Sequence, residues 1–233
     1  MILTAHQPAY LPWLGYFDKI ASSDIFVYLD KVQFEKNSYV NRNLIKTGQG
    51  PLWLTIPVKM KGHMSKTIID MEIDYANNWK KKHLSSIFLN YKKTPQFEVK
   101  YSKIEDLYRK DYQYISELLW DQLMFWINEL NIDTKIVRMS DLSIKSTKSD
   151  LVLDLCKYFD ASTYGSGALG RDYLEEDKFQ ASNIRITFQD YQYPVYPQLW
   201  GEFLPNLSIV DYWMNTEQNS LIFQGGRNIE LFK

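Results

Sequence analysis

His6 and Gln7 are the first residues in the chain whose types and placing could do chemistry. They follow a short apolar run, Ile2 to Ala5, and precede Pro8. An imidazole there can donate to a phosphate oxygen or take a proton from an amine. A lone histidine at a strand end also reads as a satisfied structural group. A second polar concentration lies in VQFEKNSYVNRNLIKTGQG, with Gln33, Lys36, Asn37, Asn41, Arg42, Asn43 and Lys46. Amides supply donors and acceptors, and Lys and Arg supply fixed positive charge. That mixture suits a sugar or nucleotide, and it equally fits a solvated surface loop. A third group is Ser166, Gly167 and Arg171 in SGALGRDYL. Small residues between a strand and a helix let backbone approach a ligand and make a seat for an anion.

These groups together define a candidate site. His6, Lys36 and Arg42 are its catalytic residues, with Lys36, Arg42 and Arg171 placed to hold phosphates, since developing negative charge needs preorganised positive groups. Gln7, Tyr10, Gln33, Asn41, Asn43, Ser166, Gly167, Arg171, Tyr196 and Gln198 are its substrate contacts. Asp30 reads either as a loop cap or as a ribose ligand. His63 and His83 have no partner spacing resembling a metal site, so no metal is expected. There is no Ser-His-Asp spacing motif and no Walker or GxGxxG phosphate loop.

The elements that must position these residues follow from hydrophobic periodicity. Ile2 to Ala5 reads as a buried first strand. Pro8 and Pro12 stiffen the turn after it, and Pro12 suits the first turn of a helix. Trp13, Leu14, Phe17, Ile20 and Ala21 recur at helical spacing. Asp24 to Asp30 is a second strand, joined to the first by one crossover helix, which makes a βαβ unit. Further strands are expected at Leu52 to Val58, Ile68 to Ile73, Asp133 to Met139, Ala161 to Tyr164 and Ile184 to Gln189. Helices are expected at Trp79 to Tyr91, Tyr112 to Leu130, Ser149 to Phe159, from Tyr173, and at Leu207 to Trp213. The run containing Tyr196, Gln198 and Glu202 reads as an ordered wall, and the end from Gln218 as partly loose. Cys156 falls on the apolar face of its helix and reads as a packing residue.

This alternation predicts an α/β fold: a Rossmann-like open, mostly parallel sheet with flanking helices and an added helical and loop segment. One domain is expected over residues 1–233, with a mainly helical insertion at about 76–132. In such sheets ligands bind at the carboxyl ends of strands, which places the site at His6.

Bulk properties narrow the function. Basic and acidic residues nearly cancel, 27 against 28, which argues against a general nucleic-acid partner. No apolar stretch approaches the ~20 residues of a membrane span. Met1 leads straight into the first strand, leaving no signal peptide expected, and the single cysteine excludes an internal disulfide. A cytoplasmic location is the expectation. Exposed aromatics near the end would suit a homodimer contact.

The segments HQPAYLPWLGYFDKI, VQFEKNSYVNRNLIKT, TYGSGALGRDYL and PVYPQLWGEFLPNLSIVD resemble the WbqC-like protein family, and the resemblance runs nearly the full length. It implies a place in bacterial surface-polysaccharide, O-antigen or lipopolysaccharide biosynthesis and a glycine transferase role. The implied reaction is glycyl or similar acyl transfer to a nucleotide-linked amino sugar. Its partners would be a nucleotide sugar and an amino-acid or acyl donor, and the donor is open among ATP-activated amino acid, thioester and charged tRNA. The histidine turn and the late Ser/Gly/Arg turn also resemble the adenylate-forming, nucleotidyltransferase-like ligases, which makes ATP the candidate cofactor. Here Gln7 and Pro8 follow His6 and position 9 is Ala, so the paired histidines of those ligases are absent. The alternative is a nucleotide-sugar-binding or assembly protein of the same pathway without catalysis.

Overall fold

The computed structural model describes residues 1–227 and 229–231. In chain order it forms β1 (Ile2–His6), α1 (Leu14–Ala21), β2 (Ile25–Tyr28), β3 (Arg42–Thr47), β4 (Gly50–Thr55), α2 (Trp79–Tyr91), α3 (Phe97–Arg109) and α4 (Ile115–Glu129). There follow β5 (Lys135–Arg138), α5 (Lys148–Tyr158), β6 (Thr163–Ser166), α6 (Glu176–Ala181), β7 (Arg185–Gln189), α7 (Ile209–Asn215) and β8 (Ile229–Leu231). Five strands run parallel in the order β5-β2-β1-β6-β7, and β8 adds antiparallel outside β7. This is the expected Rossmann-like α/β sheet with helices on its faces. β3 and β4 form a separate antiparallel hairpin.

Side-chain alternation along the strands splits the core in two. Leu3, Ala5, Ile25 and Val27 pack against α5 and α6 residues such as Leu151, Leu155 and Phe179. Phe26 and Tyr28 face the other way, into a larger cluster with Leu14, Phe17 and Ile20 of α1. The helices α2, α3 and α4 extend that second cluster through Ile87, Tyr91, Ile104, Tyr108, Leu119 and Trp126. Cys156 is fully buried on the α5 side, and burial pushes its thiol up to about 12, so it packs as expected.

Two expectations need correction. Residues Arg42–Thr47 are not an open loop but strand β3, paired with β4 from Arg42↔Thr55 to Thr47↔Gly50. The expected strand over Ile68 to Ile73 is a 3-10 turn, Ile68–Asp70, followed by single bridges that Glu72 and Ile73 make with Tyr114 and Val58. The segment from Gln218, expected to be partly loose, turns through Asn219–Arg227 against α1, and Ile229–Leu231 forms β8 on the sheet. Asn228, Phe232 and Lys233 lie outside the described residues.

Candidate functional site

The strand order reverses beside β1. The chain builds β2 and β5 on one side of it and β6 and β7 on the other. Connections therefore leave the carboxyl ends of β1 and β6 in opposite directions, and the place between two such strand ends is the usual ligand position in a doubly wound sheet. His6 and Gln7 stand at the end of β1, and Ser166 and Gly167 at the end of β6. β6 carries Gly165 opposite Thr4 of β1. A Cβ on Gly165 would come within 2.7 Å of Thr4 Cγ2.

His6 is partly buried, with Trp13 and Tyr16 edge-on at ring separations of 5.4 and 5.0 Å. Its Nδ1 is 2.9 Å from the Gln7 carbonyl oxygen. A carbonyl can only accept, so Nδ1 carries the proton and Nε2 keeps its lone pair. Burial, reinforced by the positive charge of Lys19, holds the imidazole down at about 4, so the ring is neutral at pH 7. The Gln7 carbonyl also accepts from the Tyr16 hydroxyl at 3.2 Å, which fixes the turn.

From His6 a run of rings leads outward. Trp13 lies 5.5 Å from Tyr39, and Tyr39 lies 5.8 Å from Trp53. The Arg42 guanidinium sits 4.3 Å from the Trp53 centroid and donates to the Asn37 carbonyl at 2.5 Å. Tyr39 and Trp53 are exposed. The rings thus connect the β1 carboxyl end to the hairpin bearing Arg42, although β1 and β3 belong to different sheets.

The other residues named from the sequence divide by position. Asn43 is fully buried and donates to the Tyr10 and Leu11 carbonyls at 3.2 and 2.8 Å, pinning the loop after β1 to β3. Asn41 donates to the Ile56 carbonyl at 2.8 Å, while its Oδ1 and the Arg42 Nε are buried without a partner among the described residues. Gln33 is exposed and donates to the Met64 carbonyl at 2.9 Å, and Lys36 is exposed in the neighbouring turn. Arg171 stacks 4.2 Å from the Phe188 centroid, one strand beyond β6. Asp30 is a cap, accepting from the Ser140 amide at 2.9 Å.

Tyr10, Tyr196 and Gln198 were expected to face a ligand, and their polar atoms are instead committed internally. The Tyr10 hydroxyl is fully buried against Tyr108 and the Nδ1 of His83, the latter at 2.8 Å. Tyr196 and Gln198 belong to a network centred on Asp211, which is fully buried. Its carboxylate accepts from Tyr91 at 2.7 Å, from Tyr196 at 2.8 Å and from Gln198 Nε2 at 2.9 Å. Burial raises the Asp211 carboxyl above the usual range, and these donors together with Lys46 oppose the rise. Lys46 donates to Gln198 Oε1 at 3.0 Å and to the Glu202 carbonyl. The network clamps the wall at 196–204 onto β3, α2 and α7.

Sequence reasoning missed Lys19. A lysine in an amphipathic helix ordinarily faces water, yet Lys19 is 5 % exposed and its Nζ donates to the Ala5 carbonyl at 2.9 Å. The available signal was the shortness of α1, buried from Leu14 through Ile20 between the sheet and the Asn219–Arg227 turns. Burial brings the Lys19 ammonium down to about 8. A separate cavity of 740 Å³ runs along α6 and β7, lined by Thr163, Gln180, Asn183 and Arg185 among others, away from the β1 carboxyl end. No group of three or more His, Cys, Asp and Glu side chains gathers as metal donors among the described residues. No described helix is long and apolar enough to cross a membrane.

A doubly wound parallel sheet flanked by helices defines a Rossmann-like α/β protein, with a neutral imidazole at its reversal point. The sequence model of the WbqC-like protein family matches residues 7–222, and the chain belongs to that family. It is 36 % identical over 211 residues to a Mycobacterium tuberculosis (strain ATCC 25618 / H37Rv) protein named "Uncharacterized protein Rv1507c", covering 90 % of this chain and 91 % of that one. No solved structure matches.

Proposed function

We propose that the chain is a transferase or amide ligase that acylates a nucleotide-linked amino sugar, by glycyl or similar transfer, in bacterial surface-polysaccharide or O-antigen biosynthesis. The observation that carries this reading is His6: a neutral imidazole with its free lone pair on Nε2, at the carboxyl end of β1 where the strand order reverses. As the sugar amine attacks the acyl carbon, a C–N bond forms and the bond to the leaving group breaks. The amine proton passes to His6 Nε2 and then to water. Gln7, Ser166 and Gly167 border the reacting groups. The rings of Trp13, Tyr39 and Trp53 offer faces on which sugar or base can stack, ending at Arg42. An imidazole held near 4 is a weak base, and a bound anion nearby would raise it toward neutrality.

That low basicity also favours the second reading, a nucleotide-sugar-binding or assembly protein without catalysis. One experiment separates the two. Protein is incubated with glycine, ATP and a panel of nucleotide amino sugars, and products are read by mass. Transfer predicts a glycylated sugar with wild type and at least a 100-fold loss in His6→Gln with binding retained. Binding without any product in the wild type, with a thioester donor also tried, sinks the transferase reading.

A further inference from the structure

We infer that the ammonium of Lys19 is the seat of an oxyanion between the carboxyl ends of β1 and β6. The inference rests on the reading that this place takes the ligand and not on the transfer chemistry. Three observations carry it. The Nζ is buried at the carboxyl end of β1, where its described acceptor is the Ala5 carbonyl at 2.9 Å. An ammonium has three donors, so two remain for a ligand or water. Among the described residues no carboxylate pairs with it, and its downward shift toward 8 has burial as its cause with no acidic neighbour opposing it. A buried cation without a counter-ion is costly, and an anionic ligand at the strand reversal, where doubly wound sheets take their ligands, would offset that cost.

Gly167 is the independent observation. Its backbone, at φ −76° and ψ 169°, is open to any residue, so conformation does not call for glycine there. A Cβ at this position would lie 3.9 Å from Lys19 Nζ. The missing side chain therefore leaves the approach to the ammonium open from the β6 side. His6 stands on the β1 side, its basicity depressed by the Lys19 charge. Burial is the larger cause of that depression, and an oxyanion seated on Nζ relieves the share due to Lys19, which raises the basicity of the imidazole and couples ligand binding to the proton acceptor.

The ligand group is an oxyanion, either a phosphate of a nucleotide or the carboxylate of an amino acid. The full-length protein is titrated with inorganic pyrophosphate and, separately, with acetate by calorimetry at low salt, for wild type, Lys19→Met and Gly167→Val. Wild type binds at least one probe, and both variants weaken it at least tenfold. Pyrophosphate alone identifies a phosphate seat, and acetate alone a carboxylate seat. Lys19→Met remains folded, with an unfolding midpoint at or above that of wild type, since it removes a buried charge. Equal binding by wild type and Lys19→Met, or no binding of either probe by wild type, overturns the inference. A glycylated product from a Lys19→Met protein of wild-type affinity would sink the seat and leave the transferase reading standing. Lys19-dependent binding with no product would do the reverse.

Discussion

Lowering the pH from 7 to 5 is expected to remove up to about 4 kcal/mol of folding stability through His6 and His83, roughly half from each. Burial holds both imidazoles at about 4 in the folded chain, against an ordinary 6.5. For His83, a backbone hydrogen bond at Thr55 opposes part of the effect. Between the two values the unfolded chain binds a proton that the folded chain does not, so the stability is fully present above 6.5 and is lost as pH falls toward 4. The loss works out at about 2 kcal/mol per histidine at pH 5 and about 3 at pH 4. For His6, the more exposed ring, the figure is an upper bound. Against a typical total of ~5–15 kcal/mol this is a large fraction. Urea unfolding at pH 7 and 5 measures it for wild type, His6→Gln and His83→Gln. Each variant should lose about 2 kcal/mol less than wild type across that range. Asp30 and Asp211, whose carboxyls burial raises, act in the opposite sense, and the comparison with each variant removes their share. If His6→Gln keeps the full wild-type pH dependence, or the His6 ring titrates near 6.5 by NMR, the ring is not desolvated and its role as a neutral acceptor fails.

Three further outcomes are expected. Lys19→Met should gain about 2 kcal/mol at pH 7 by urea unfolding: about 3 from removing the buried charge, less about 1 for the hydrogen bond to Ala5. The gain should shrink as pH rises from 8 to 10.5, where the native lysine becomes neutral. Asp211→Ala should lose about 3–5 kcal/mol in the same assay, because the hydroxyls of Tyr91 and Tyr196 and the Gln198 amide are left buried without their acceptor. Gly165→Ala should lose about 1–3 kcal/mol by thermal or urea unfolding, since its Cβ meets Thr4 Cγ2 at 2.7 Å and either the Thr4 side chain or the β1–β6 pair must shift.

Apolar runs made the sheet legible. IFVY and the run after Met1 have no other economical reading than buried parallel strands, and Trp79 to Tyr91 forms the helix its spacing predicts. The β3 strand was hidden because, of its three buried positions, only Ile45 is apolar: Asn43 and Lys46 are buried as well and donate to carbonyl and amide oxygens of distant segments. A pattern of hydrophobic alternation cannot register such a strand. Of the candidate site, the positions of His6, Gln7, Ser166 and Gly167 at strand ends were legible because strand ends and small-residue turns are marked in the sequence, and the sheet order brings the two turns side by side. Tyr10, Tyr196 and Gln198 looked like ligand contacts by residue type. Their partners, His83, Tyr108 and Asp211, come from far along the chain and were invisible until the fold joined them. Lys19 was missed for the converse reason: its type says solvent and only its surroundings say otherwise.

The most direct test of the account is a crystal structure of the protein soaked with a nucleotide-linked amino sugar. The account predicts the amine within hydrogen-bonding distance of His6 Nε2 and an oxyanion on Lys19 Nζ beside Gly167. A sugar nucleotide bound elsewhere, with water alone between the carboxyl ends of β1 and β6, would contradict it.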